Sequence, residues 1–273
     1  MSSQSYPEMR DFPYWLVALI AIGLVLGGMI VVNGEYRQIF STVISGIGMT
    51  LYAALIGFAL ATAIGLVIAL MALSNNLILR QVSRFYVEII RGIPILVILF
   101  YLAFVGAPAL IDLANFLLAP LIQGGWIESL QVRDFSMAWR AIIALTICYG
   151  AFLSEIFRAG IQSIDKGQID AAKALGLSRL QQYRLIILPQ ATRTIFPAWA
   201  NDFIAILKDS SLVSILGVAD MTQMAKVYSA GSFRFFETHS ILAYIYAVMA
   251  ITLAYLLRKL EDKLRGINRV SSL

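Results

Sequence analysis

The chain has 273 residues, of which 60% are hydrophobic and 14% charged, with a mean hydropathy of +0.81 and a formal net charge of +5. A soluble domain carries about 25% charged residues, so water is not the main solvent of this chain. One cysteine, Cys148, and one histidine, His239, exclude a disulfide framework, a thiolate metal site and a histidine cluster.

Basic residues gather between and after apolar runs, as orientation in a membrane requires, and no nucleic-acid partner is expected. Spans are counted in stretches of about 20 apolar residues. The first, Tyr14 to Val32, is longer than a signal peptide's apolar region and no A-x-A cleavage site follows, so it reads as an uncleaved anchor. A second span covers Val43 to Leu73. In the basic connection after it, Glu88 and Arg91 stand three apart and are expected to pair beside a kink at Gly92 and Pro94.

A third span ends near Ala107. The Pro108 to Ser136 connection contains an apolar stretch, Leu110 to Ile122, which fits a surface helix or a re-entrant piece equally well. A fourth span runs from Met137 to Phe157, a fifth from Ile195 to Leu216 and a sixth from His239 to Leu257. The fold class expected is an all-α integral membrane protein with six transmembrane helices. Of the 21 Lys and Arg residues, only Arg37, Arg133, Arg140, Lys208, Lys226 and Arg234 lie outside one set of connections and tails, which makes that set, with both termini, cytoplasmic.

The cytoplasmic loop between the fourth and fifth spans is strongly punctuated. Asp165 with Gln168 has the spacing of a capping box, Gly176 is placed to end the helix in a left-handed cap, and Ser178 with Gln181 repeats the box. Pro189 is expected to close the second helix. Two short helices hinged at Gly176 result. Ala171 and Ala172 leave the first without bulk, so a partner's backbone could approach, and Ile169, Leu175, Leu180 and Tyr183 supply apolar anchors. Spacing alone is equally consistent with an amphipathic hairpin packed on its own bundle.

An ionised side chain at bilayer depth costs about 2.5–3.5 kcal/mol and persists mainly for function or pairing. Glu155, Asp202, Lys208 and Asp209 are such residues. Asn201 and Lys208 are seven apart, as are Asp202 and Asp209, so two adjoining polar stripes are expected to face the bundle interior. Acids beside one lysine can answer both an ammonium and a carboxylate. Lys208 and Asp209 could instead neutralise groups on neighbouring helices, and Glu155 could pair with Arg158. Pro197 is expected to free a backbone carbonyl near Asn201. Cys148 reads as packing.

Asp170-Ala171-Ala172, Gly176 and Ile186-Ile187-Leu188-Pro189 stand in the register of E-A-A-x-x-x-G, nine residues, then I-x-L-P. The stretch resembles the EAA loop of ABC importer permeases, with Asp170 in place of the usual glutamate. Arg91-Gly92-Ile93-Pro94, the run Tyr149 to Arg158, Asn201-Asp202-Phe203-Ile204 and Lys208-Asp209-Ser210-Ser211-Leu212 are similar to signatures of the polar amino acid uptake subfamily, over about Ser41 to Leu257.

The resemblance implies a five-helix type I importer core over residues 41–257 with coupling loop 158–193. Residues 1–40 then form a tail and an accessory helix, and 258–273 a cytoplasmic tail. It implies ATPase coupling through Asp170, Ala171, Ala172, Gly176, Leu177, Leu188 and Pro189. The substrate-path candidates are Asn201, Asp202, Lys208, Asp209, Ser211 and Glu155.

Implied partners are an ATPase subunit dimer, a second permease subunit that is a copy or a paralogue, an extracytoplasmic amino-acid-binding protein, a polar amino acid and membrane lipid. The location implied is the bacterial cytoplasmic membrane. No G-x-x-x-x-G-K-[S/T] occurs, so ATP and Mg are expected on the partner, with no cofactor and no enzymatic role here. The rival classes are a secondary transporter or channel driven by an ion gradient, and a membrane enzyme or scaffold.

Overall fold

The computed structural model describes residues 14–266, and every regular element in it is helical. The tail residues 1–13 and 267–273, with Arg10 and Arg269, lie outside the described residues. The first helix, α1 (Tyr14–Val32), is apolar all round and has no buried residue; it leans on the rest only at places such as Gly23, which sits against the Tyr244 ring. Such a helix is stable only in lipid.

The second span is longer than expected, because α2 (Gly34–Ser45), N-capped by Asn33, runs into α3 (Ile47–Ala72) across Gly46. Gly46 lies flat against the backbone of Asp220 and Met221, where any Cβ would collide. Thr50 fastens the same contact, accepting from the Met221 amide at 3.1 Å. After a turn at residues 73–76 comes α4 (Leu77–Gly92), capped by Asn76. The expected Glu88–Arg91 ion pair does not form; the Arg91 guanidinium lies instead 6.0 Å over the Phe152 ring.

The third span is also longer than expected. After α5 (Ile95–Tyr101) a π-turn, Leu102–Gly106, leads directly into α6 (Ala107–Leu117), so Pro108 does not end it. The wide turn bonds each amide five residues back, and the carbonyl of Ala103, which Pro108 cannot serve, accepts from Arg140 Nη1 at 3.1 Å. The outer connection thus shrinks to the short α7 (Ala119–Gln123) and a loop, most of the Leu110 to Ile122 stretch having become the end of the third span's helix. Buried Arg140 holds that loop through the carbonyls of Phe135 and Val132, and Asn115 bonds both backbone groups of Leu130.

The fourth span, α8 (Met137–Gln162), forms the core with α3. Its approach to α3 rests on small residues at three- and four-residue spacing, Ala54, Gly57, Ala61, Gly65 and Ala69. In a membrane this close van der Waals contact replaces the hydrophobic drive. A Cβ on Gly65 would stand 2.9 Å from that of Leu153. Cys148 is buried in this core, as packing.

Two short helices follow, α9 (Lys166–Ala174) and α10 (Arg179–Gln182). Contrary to expectation, Pro189 closes nothing. A second π-turn, Tyr183–Ile187, carries α10 straight into α11 (Leu188–Asp209), with Pro189 just beyond the wide turn in a helix that does not stop. The helix also continues through Pro197, and the carbonyl that proline leaves unserved is that of Arg193, two turns from Asn201 rather than beside it.

The expected fifth span is therefore α11 followed by a 3-10 segment, Ser210–Leu216, ended at Gly217 with φ +74°. Then α12 (Met221–Ser232), capped by buried Asp220, precedes α13 (Phe235–Gly266). Among the described residues five stretches are long and apolar enough to cross a membrane: Tyr14–Val32, Gly34–Ala72, Ile95–Leu117, Met137–Gln162 and Phe235–Leu264. Polar residues keep α11 out of that set, although its 22 residues reach about 33 Å at 1.5 Å each.

Candidate functional site

Two groups of residues stand out, one on the hairpin of α9 and α10 and one between α8 and α11. Asp165 caps α9 by accepting from the Gln168 amide at 3.2 Å. The box is only half made, because the Gln168 side chain accepts from Gln190 at 2.6 Å and ties α9 to α11. At the other end Gly176, with φ +74°, completes a Schellman turn: its amide bonds the Lys173 carbonyl and that of Leu177 the Ala172 carbonyl. Ser178 and Gln181 form the full reciprocal capping box.

Burial sorts the candidate coupling residues. Asp170, Ala171, Gly176, Leu188 and Pro189 are exposed, Leu177 is half-buried and Ala172 is only 2% exposed. The bare outer face of α9 is thus Ala171's, while Ala172 lets the hairpin close on itself. Of the apolar anchors, Ile169 turns inward onto Ile164, Ile187 and Ala191, whereas Leu175 and Leu180 are 80% and 77% exposed. Tyr183, with Leu188, lines an apolar cavity of about 420 Å³ against α3 and α8. Asp170 accepts from Lys173 at 2.8 Å, and this bond with the lysine's charge holds its carboxyl below the ordinary aspartate range.

Inside the bundle Tyr149 donates to Asp209 at 2.8 Å, joining the middle of α8 to the end of α11. One turn-pair back on the same stripe, Asp202 keeps a buried Oδ2 with no hydrogen-bond partner among the described residues. An unserved acceptor of this kind is costly and marks a place for a donor. The two stripes part company: Asp202 and Asp209 are half-buried, but Asn201 and Lys208 are exposed on the outside of this chain. Only the first stripe faces the bundle interior, because α3 and α8 pack on that side of α11 alone.

Ser211 is half-buried in the 3-10 segment. Glu155 is apart from all of these, held in a two-point ion pair by Arg158 at 2.7 and 3.1 Å. Sequence reasoning passed over Tyr149 as a partner, its bond spanning 60 positions. It also passed over Asp220, whose D-x-x-Q spacing to Gln223 was a legible cap.

The model of the binding-protein-dependent transport system inner membrane component family matches residues 61–265. A probable amino-acid permease protein, YxeN, of Bacillus subtilis (strain 168) is 36% identical over 212 residues, covering 78% of this chain and 86% of the relative. The glutamine transport system permease protein GlnP of Escherichia coli (strain K12) is 32% identical over 222 residues, covering 81% and 92%. A crystal structure of an amino acid ABC transporter with histidines is similar at a TM-score of 0.67 and 35% identity, covering 84% of this chain and 95% of that one. The MetNI methionine ABC transporter shares the fold at a TM-score of 0.62 and 17% identity, over 82% and 96%. On this evidence the chain belongs to the inner membrane components of binding-protein-dependent transport systems, as a multi-pass permease of the ABC type.

Proposed function

We propose that this permease carries a polar amino acid inward across the cytoplasmic membrane, as one of a pair of permease subunits, driven by an ATPase dimer docked on the α9–α10 hairpin. The observation that carries the reading is the hairpin itself. Leu175 and Leu180 stand out in water on a frame fixed by the Gly176 turn and two caps, an arrangement that gains nothing for the chain alone. Exposed apolar side chains on a rigid frame suit a partner's groove.

The relatives' names supply the substrate class, and together with the family they favour this reading over an ion-gradient transporter or channel. With α11 counted, six spans put both termini on the arginine-rich, cytoplasmic side. An extracytoplasmic binding protein then delivers the solute, and ATP and Mg stay on the ATPase. Residues 41–257 are the working core, with α1 as an accessory span.

Lys208 and Asn201 argue for the paired permease. A lysine exposed on the surface of a transmembrane helix cannot rest against acyl chains, so that face of α11 meets the second permease or a water-filled path between the two. Asp202 and Asp209 lie on the neighbouring stripe, and the carried amino acid is met along these two faces, with Ser211 at the outer end. Closure of the ATPase pair moves the hairpin, and α11 transmits the motion as a rigid body to an alternating gate.

Reconstitution with and without a cognate ATPase tests the reading. ATP-dependent uptake that disappears when Leu175 and Leu180 are both changed to Ser supports it. Uptake by the permease alone, without ATPase, would overturn it.

A further inference from the structure

A second polar feature lies away from the Tyr149–Asp209 bond. An open cavity of about 410 Å³ between α3, α4 and α8 is lined by Arg80, Arg84, Arg91 and Arg158, with Glu88 and Glu155. Four guanidiniums against two carboxylates leave an excess of two positive charges, and no lysine takes part. Glu155 is occupied by Arg158. Arg80 spends one nitrogen on the Ser74 and Asn75 carbonyls, and Arg84 has no hydrogen bond or ion pair among the described residues.

The charge is placed by the helix rather than scattered. At about 100° per residue, Arg80, Arg84 and Arg91 fall within about 40° of one another on α4. Ile78, Val82, Phe85 and Ile89 occupy the opposite face and are exposed, the side suited to lipid. On α8, Arg158 is nine residues, or two and a half turns, beyond Tyr149 and so points to the other side of that helix from the Asp209 bond. The cavity is thus separate from the Asp202 and Asp209 stripe, and of the path candidates only Glu155, already held by Arg158, lines it.

We propose that this cavity binds a phosphate-class anion, delivered as the headgroup of an anionic phospholipid or as free phosphate. Guanidinium forks match phosphate oxygens two at a time, which separates this set from a merely positive surface of lysines. Ile68, Ala72 and Val87 supply an apolar wall beside the arginines, as a glycerol-linked phosphate requires.

The test is thermal unfolding of the full-length purified permease in detergent, titrated in one arm with inorganic phosphate and in the other with phosphatidylglycerol against phosphatidylcholine. Saturable stabilisation is expected, weakened about tenfold in an Arg84→Gln, Arg91→Gln variant and unchanged in Arg258→Gln, whose arginine lies outside the cavity. Response to inorganic phosphate identifies the free ion as the ligand; response to phosphatidylglycerol alone identifies the lipid. No saturable response in either arm, or equal loss in Arg258→Gln, overturns the proposal. Should the double variant fail to fold, Arg84→Lys keeps the charge and removes the fork: several-fold weaker binding supports the site and unchanged binding overturns it.

Discussion

Tyr149, in the middle of α8, donates its hydroxyl to the carboxylate of Asp209, the last residue of α11, across 2.8 Å. The bond links the core span to the helix that leaves the hairpin. Removing the hydroxyl in Tyr149→Phe strands the Asp209 oxygen in a half-buried position, at a cost of about 1–3 kcal/mol. The thermal midpoint of the purified variant should fall by several degrees, and uptake should fall with it. An unchanged midpoint would show that water serves Asp209 equally well.

Gly176 occupies the left-handed region, which costs other residues about 1–2 kcal/mol and β-branched ones more. In Gly176→Val the hairpin is expected to re-aim Leu175 and Leu180 while the membrane bundle stays folded. ATP hydrolysis in the reconstituted complex should then persist with transport reduced to a small fraction. Fully coupled transport by this variant would remove the turn from the coupling device.

Lys208 lies on the outward stripe of α11 and holds no packing contact that the bundle needs. Lys208→Ala should leave expression and the thermal midpoint within the usual scatter of surface changes, about 0.5 kcal/mol, yet impair uptake clearly. Normal transport rates would take this residue off the path.

Two glycines two positions apart give opposite expectations. Gly46 has the Asp220 backbone against it, so Gly46→Ala must push two helices apart and is expected to cost about 1–3 kcal/mol. Gly48 has nothing within 4 Å, so Gly48→Ala should stabilise α3 by about 0.5–1 kcal/mol. Paired unfolding curves decide both.

The Asp170–Lys173 bond lowers the aspartate's pKa, so the ionised, bonded form dominates above the ordinary carboxylate range and is lost only as pH falls through the lowered value. ATPase docking measured between about pH 8 and pH 6 should therefore be flat in wild type if Asp170 is its only titrating contributor. A fall in docking above pH 6 that vanishes in Asp170→Asn would contradict this.

The hairpin was legible because its determinants are local. Gly176, Ser178 and Gln181 act on backbone groups within three residues, and the structure places each as its spacing implied. Gln168 shows where that logic stops, since Gln190, 22 positions away, competes for its side chain. Pro189 read as a stop, and the third span as ending beside Pro108, because a proline's cost is normally local. Here a π-turn precedes each, and for Pro108 the exposed carbonyl is served by Arg140 from another span.

The seven-residue stripes of α11 were correct in spacing, but which of them turns inward is decided by α3 and α8, and no pattern within α11 states it. Glu88 and Arg91 had the spacing of an ion pair and yet separate, because Arg91 finds the face of Phe152 nearer to hand. Tyr149 stood in a recognised run without an assigned partner for the same reason: its acceptor is 60 residues along the chain.

The π-turn at Tyr183–Ile187 sets an angle as well as tolerating Pro189. It lies in one unbroken helical rod from Arg179, beside the hairpin tip, to Asp209 at the polar stripe. One residue more or less in a helix turns everything beyond it by about 100°. The single extra residue of the wide turn therefore acts as a phase setting, clocking the acidic stripe toward α8 and Lys208 toward the outside. Deleting one residue from this turn would leave both ends of the rod intact in composition but out of step, with the carboxylates facing where the lysine now stands.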